Sequence, residues 1–158
     1  MAWASSKIGA QTILDILDGT TAMDLDGDTH LVSLWNDSIT PDNTVTAANY
    51  AYNAGVWTAG ANEVKDGVEW DTGGEPLVSP DLTRASAVLT WDGTDTVSGG
   101  SSATLAAVFG CFIYSDTIVT PVADQGVCHI YFGGTNSVTN GTFTVVWGAS
   151  GIFTLTLT

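Results

Sequence analysis

The chain has 158 residues, a length typical of one domain, and it carries 17 acidic against 3 basic side chains, for a net charge of −14. Binding to nucleic acid and attachment to an anionic membrane both depend on Lys and Arg, so this charge balance argues against either partner. Only 13% of the residues are charged, 44% are hydrophobic and 18 are glycine. This composition is typical of many short strands joined by tight turns.

The N-terminal stretch predicts the one helix of the chain, over residues 5–18. Four apolar residues at i, i+3, i+4 and i+7 form a stripe that should pack on a sheet: Ala10, Ile13, Leu14 and Leu17. Ser5 or Ser6 can cap the start of this helix, and Gly19 stands where a left-handed residue would end it. The segment lacks the charged and apolar regions of a signal peptide, so we expect the protein to be made and assembled in a cytoplasm.

The acidic segment that follows resembles a calcium-binding loop at first sight. Asp24, Asp26 and Asp28 alternate there. A calcium loop of this kind requires Gly at its sixth position and Glu at its twelfth, and those positions hold Thr29 and Trp35. We therefore expect a turn leading into a strand at 31–35. His30 and His129 lie far apart, without a third ligand nearby, and are interpreted as ordinary strand residues.

Apolar runs over 105–114, 127–132, 142–147 and 152–157 predict the main strands. In the last run Phe153, Leu155 and Leu157 alternate with threonines, which places the large apolar side chains on one face. Two glycines lie between the last two runs, so these runs are predicted to form a hairpin. We expect 127–132 to pair back on 105–114, with Cys111 and Cys128 as buried thiols.

The strand spacing predicts a mainly β fold. About seven or eight short strands, with a turn signal every ~8–12 residues, indicate an antiparallel β-sandwich or partly closed barrel with one short N-terminal helix. No nucleophile elbow, phosphate loop or dinucleotide fingerprint is present. Cys111 lies in an apolar run that makes a thiol a poor nucleophile. We predict no catalytic residue, no cofactor and no metal site, and therefore a protein that is not an enzyme.

Several motifs occur in an order that resembles small virion structural proteins of tailed bacteriophages, in particular capsid decoration (cement) proteins. They are the helix end Leu17-Asp18-Gly19, residues 23–36, the WDTGG segment at 70–74, and residues 108–116, 141–147 and 151–155. The resemblance implies a β-rich module bound in many copies, often as trimers, to the major capsid protein on the outer surface of the head. It implies no catalytic residue.

A decoration protein needs an apolar or aromatic contact patch on an otherwise polar surface. The candidate partner contacts are Trp3, before the helix, and Tyr50, Tyr52 and Trp57 in the irregular segment. The alternative for Trp3 is that it folds back onto its own domain.

Two other functions stay open on the sequence. One is a tail-tube, tail-tip or fibre protein of the same virion. The other is a carbohydrate-binding module, in which Trp57, Trp70 or Trp91 would stack on sugar rings, against the alternative that these aromatic side chains fill the core.

Overall fold

The computed structural model describes residues 3–158 and is mainly β, with one α-helix and antiparallel sheets that do not close into a barrel. The expected fold class is thereby confirmed. The helix α1 spans Ala10–Asp18, and two short 3-10 helices lie at Ala47–Asn49 and Gly55–Trp57. The strands are, in chain order, β1 (Lys7–Ile8), β2 (His30–Trp35), β3 (Glu63–Val64), β4 (Glu75–Pro76), β5 (Val78–Ala85), β6 (Val88–Thr94), β7 (Thr96–Val97), β8 (Ala103–Ser115), β9 (Gly126–Gly141), β10 (Thr144–Val145) and β11 (Phe153–Thr156).

The main sheet has the order β1-β9-β8-β2-β3, and β4 also pairs with β2. Its centre is the long antiparallel pair β8–β9, in which Cys111 lies opposite Ile130 and Ile113 lies opposite Cys128. The predicted pairing of these two runs is confirmed. Both cysteines are buried and free, as expected.

The main sheet is buried on both faces, and successive residues of each strand alternate between them. In β8, Cys111 and Ile113 belong to a core cluster that faces the other sheets. Phe112 and Tyr114 point the opposite way, into an aromatic cluster covered by residues of the irregular segment between β2 and β3. This segment therefore serves as a lid over one face of the sheet.

A second sheet of three strands has the order β11-β6-β5. Leu82, Trp91 and Phe153 lie in one cross-strand row, and the next row on the same face contains Arg84, Leu89 and Leu155. Because side chains alternate along a strand, Thr83, Thr90 and Thr154 point to the other face. One face of this sheet is therefore mostly apolar, and the other is lined mainly by threonine hydroxyl groups.

The predicted hairpin at the C-terminus is wrong. β10 pairs with β7, where Thr144 lies opposite Val97, whereas β11 pairs with β6, where Phe153 lies opposite Trp91. The two glycines between β10 and β11 do form a turn, closed by the Gly151 N–H donating to the Gly148 carbonyl at 2.8 Å. The turn redirects the chain to a different sheet instead of folding it back on itself.

The helix also begins later than predicted. Lys7 and Ile8 form β1 at the edge of the main sheet, opposite His129 and Cys128, so residues 5–9 are not helical. Gly9 precedes the first helical residue and supplies no side-chain cap. The end of the helix is as predicted, because Gly19 adopts the left-handed conformation with φ of 77°. Within residues 3–158, no helix combines the length and the apolarity that a bilayer crossing requires.

Candidate docking groove

The four residues predicted as partner contacts are all buried. Trp3 and Tyr50 are each 1% exposed, Tyr52 is 8% exposed and Trp57 is fully buried. They belong to a single aromatic cluster on the lid side of the main sheet. The prediction of an exposed contact patch at these positions is therefore corrected, since the lid segment turns its aromatic side chains inward to cover β8.

Trp57 is the centre of this aromatic cluster. Its ring stacks on Phe112 with 4.1 Å between ring centroids, and Trp3 meets it edge to face at 5.8 Å. The Trp3 indole N–H donates to the Asn36 carbonyl at 2.9 Å. Trp3 thus folds back onto its own chain, which is the alternative that the sequence left open.

Tyr52 has its hydroxyl group satisfied inside the protein. It donates to Glu63 at 3.0 Å, and the same carboxylate accepts from the Gly73 N–H at 2.7 Å and from Lys65 at 2.9 Å. Glu63 is buried, and Lys65 neutralises its charge at the edge of the protein. The network links the lid to β3. The Tyr52 hydroxyl is already hydrogen-bonded inside the protein and is not free to bind a partner.

The tryptophans considered for sugar stacking are buried as well. Trp70 and Trp91, like Trp57, have no exposed surface. Trp91 lies between the two sheets and donates its indole N–H to the Leu25 carbonyl at 2.9 Å. These side chains therefore form no platform on which a sugar ring could stack.

The two histidines lie in strands, as expected, at the start of β2 and within β9. His30 is fully buried with its ring 5.2 Å from that of Trp91, and desolvation lowers its pKa. Desolvation also lowers the pKa of His129, to about 4. Among the described residues, no group of three or more His, Cys, Asp or Glu side chains could hold a metal ion.

Neither cysteine has the environment of a reactive thiol. Cys111 and Cys128 have no exposed surface, and burial raises the pKa of both thiols. A reactive cysteine requires partial exposure and a stabilised thiolate. The two thiols act as small apolar side chains between the sheets.

The surface feature that stands out is the orientation of α1, which buries its polar side. Thr12 is fully buried and donates its hydroxyl to the Gly126 carbonyl. Asp15 is 4% exposed, and its two carboxylate oxygens accept from Gln11 at 2.7 Å and from Gln125 at 2.9 Å. These hydrogen bonds fix the rotation of the helix about its own axis.

The apolar stripe predicted for α1 consequently faces outward. Leu17 is 80% exposed, Leu14 is 52% exposed and Ile13 is half-buried. An amphipathic surface helix normally turns this stripe to the core, and a large apolar surface left outside marks an interaction site.

Between α1 and the second sheet lies an apolar groove of about 330 Å³, which we call the leucine groove. The helix contributes one wall of this groove, and the apolar face of β5, β6 and β11 forms its floor. Its lining residues are Ile13, Ile16, Leu17, Leu25, Leu82, Leu89, Phe153, Leu155, Thr156 and Leu157. Leu157, at the far end, is 64% exposed.

Two aspartates lie next to residues that line the leucine groove. Asp18 follows Leu17 directly, and Asp26 accepts a hydrogen bond from the backbone N–H of Leu82 on the groove floor. The carbonyl end of α1 adds the negative pole of the helix dipole at the same place. Arg84 is the one base that the register of β5, β6 and β11 places on the apolar sheet face, in the row of Leu89 and Leu155.

Part of this groove is predictable from the sequence, but the predicted burial is wrong. The apolar stripe of α1 and the alternation of β11 were both expected to be buried by the rest of the chain. The helix also carries two polar residues on its opposite side, Thr12 and Asp15, and their partners Gly126 and Gln125 are distant in the sequence.

Comparison with known proteins gives no relative from which a function could be transferred. No protein-family model, no curated protein and no solved structure matches this chain.

Proposed function

We propose that this protein is a non-catalytic structural protein of a tailed-bacteriophage virion, a decoration protein that binds the major capsid protein on the outer surface of the assembled head and stabilises the shell. The leucine groove is its contact surface. The observation that carries this proposal is the outward-facing leucine side of α1 above an apolar sheet face. The order of motifs that resembles decoration proteins supports the virion assignment.

The physical properties of the groove suit binding in many copies. Complete burial of one leucine side chain contributes roughly 1.5–3 kcal/mol, so a few such side chains give a modest affinity per site. A shell offers many equivalent sites, and self-association of the bound protein, for example as trimers, would raise the overall affinity without a larger contact per chain. The net charge of −14 keeps the unbound protein soluble despite its exposed leucines.

Shell binding tests the proposed function directly. Purified protein added to mature shells that lack it should bind and raise the temperature at which the shells rupture, as measured by light scattering. Leu17→Asp should bind at least tenfold more weakly, because it places a charge in the apolar contact. Val68→Asp is the matched control, since Val68 is also 80% exposed and does not line the groove.

Labelling of intact particles decides between head and tail. Antibody–gold label on heads supports the proposed function. Label confined to tails would instead support a tail or fibre protein. Absence of the protein from virions would rule out both functions.

A further inference from the structure

The leucine groove also indicates which chemistry its partner presents, and this inference rests on the proposed function. Its lining is almost entirely apolar, with Thr156 as the one hydroxyl among the lining side chains. An occupant therefore fits best through a row of aliphatic side chains. A polar segment would lose hydration in the groove without gaining hydrogen bonds there.

A second copy of the same chain is a poor occupant. Each copy carries a charge of −14, with only 3 basic residues in total. Two copies in contact would bring together two net charges of −14, and this repulsion opposes association. Self-association is expected to use another surface.

The surroundings of the groove instead complement a cation. Asp18, Asp26 and the carbonyl end of α1 place negative potential beside the apolar floor. Arg84 is the one base that the strand register places on this face, so the two aspartates outnumber the bases there. Complementary charge at the rim of an apolar contact steers association and selects the partner.

We propose that the leucine groove binds a basic amphipathic segment of the partner protein, with aliphatic residues on the side that enters the groove and Lys or Arg next to it. The aliphatic side chains lie on Leu82, Leu89 and Leu155, and the cations reach Asp18 and Asp26. Binding of this segment covers Leu17 and Leu157, the most exposed leucines of the groove.

Synthetic peptides test this partner chemistry. Two fluorescent amphipathic peptides share the same leucine face, and their polar positions hold lysine in one and glutamate in the other. By fluorescence anisotropy the lysine peptide should saturate one site per chain, and the glutamate peptide should bind at least tenfold more weakly. A third peptide, with lysines retained and serines in place of the leucines, should also bind at least tenfold more weakly.

Two variants that carry the same net charge distinguish binding of the lysine peptide in the groove from general electrostatic attraction of the peptide to an acidic protein. Leu17→Asp should weaken binding of the lysine peptide at least tenfold, whereas Val68→Asp should leave it unchanged. Equal binding to both variants, or equal binding of the lysine and glutamate peptides, overturns the proposal. So does sedimentation that shows a dimer abolished by Leu17→Asp, since a second copy would then be the occupant.

The result is independent of the test of the proposed function. If the wild-type protein binds shells but does not prefer the lysine peptide, the partner chemistry is wrong and the decoration function stands. If the lysine peptide binds the groove and shells do not bind the protein, the groove is a docking site for a partner other than the capsid.

Discussion

The hydroxyl group of Tyr50 lies 2.8 Å from Nδ1 of His129, and both side chains are buried in the aromatic cluster beneath the lid. The two groups share a buried hydrogen bond. Burial lowers the pKa of His129 to about 4, because charging the ring inside the protein costs desolvation. The Ser5 backbone and Asp42 oppose this shift of the pKa, and Lys7 adds to it.

The lowered pKa predicts how stability changes with pH. The unfolded chain binds a proton at His129 near the ordinary pKa of 6.5, whereas the folded chain does so only near 4. Stability is therefore fully present above pH 6.5 and falls as the pH decreases from 6.5 to 4. His129 alone should reduce the free energy of unfolding by about 2 kcal/mol between pH 7 and pH 5. The shift at His30 acts in the same direction.

Urea denaturation at pH 7 and pH 5 measures this effect. His129→Gln keeps a polar group beside Tyr50 and removes the titration, so its loss of stability between the two pH values should be clearly smaller than that of the wild type. An unchanged difference in His129→Gln would assign the pH dependence to other groups.

Trp57→Ala should destabilise the protein by about 3–5 kcal/mol, since it removes the ring that stacks on Phe112 and leaves a cavity under the lid. Chemical denaturation should show a lower midpoint with an unchanged slope. The neighbouring Val56→Ala is the control, because Val56 is 39% exposed and should cost less than about 1 kcal/mol. A Trp57→Ala variant of normal stability would contradict the assignment of Trp57 to the core.

Asp66 organises the loop that follows β3. Its carboxylate accepts from the backbone N–H groups of Val68, Glu69, Trp70 and Thr104. Burial opposes ionisation, but these four donors outweigh it and lower the pKa of Asp66 to about 2. Asp66→Ala should therefore cost about 1–2 kcal/mol at pH 7, allowing for solvent screening of a half-buried group.

The cost of Asp66→Ala should disappear at acid pH. Since the pKa of Asp66 is lowered in the folded state, its contribution is present above the ordinary pKa of 3.8 and is lost as the pH falls towards 2. Asp71→Ala removes an equal charge from an exposed position nearby and should have little effect. A loss of similar size in both variants would point to net charge rather than to the backbone hydrogen bonds.

Gly74→Ala should prevent normal folding or cost at least about 3 kcal/mol. Gly74 has φ of 104°, and an added Cβ would overlap the Val32 carbonyl in the adjacent strand. Gly148→Ala is the matched control, because nothing lies within 4 Å of a Cβ at that position. Thermal unfolding of the two variants makes the comparison, and a Tm for Gly74→Ala within a degree or two of the control would contradict this close backbone approach.

Local pattern was sufficient for the long strands β2, β8 and β9 and for β11, but not for the short strands β1, β3 and β4 or for distant strand partners. The alternation around Phe153 and Leu155 predicted β11, and the turn before it was also predicted correctly. Its partner is β6, because Trp91 and Leu89 offer an apolar row for Phe153 and Leu155 to join. Turn chemistry at Gly148 and Gly151 carries no information about that choice, and the sequence alone therefore favours the nearest apolar run, 142–147, as the partner.

The helix and the aromatic residues illustrate a second limit of the sequence. In the sequence, the stripe of Ile13, Leu14 and Leu17 looks the same as one that faces the core. Only the hydrogen bonds of Asp15 to Gln125 and of Thr12 to Gly126 show that the opposite side of the helix is buried. Likewise, the sequence predicts an exposed position for Trp3 and Trp57 because they lie in segments without a strand pattern. Their burial depends on β8, which is distant in the sequence and lies under the lid.

The inverted orientation of α1 has a consequence for how this protein evolves. Because Thr12 and Asp15 hold the helix in place, the leucines on its outer side are free from selection for folding. Substitutions at Leu14 and Leu17 can accumulate in step with a changing partner while the architecture persists.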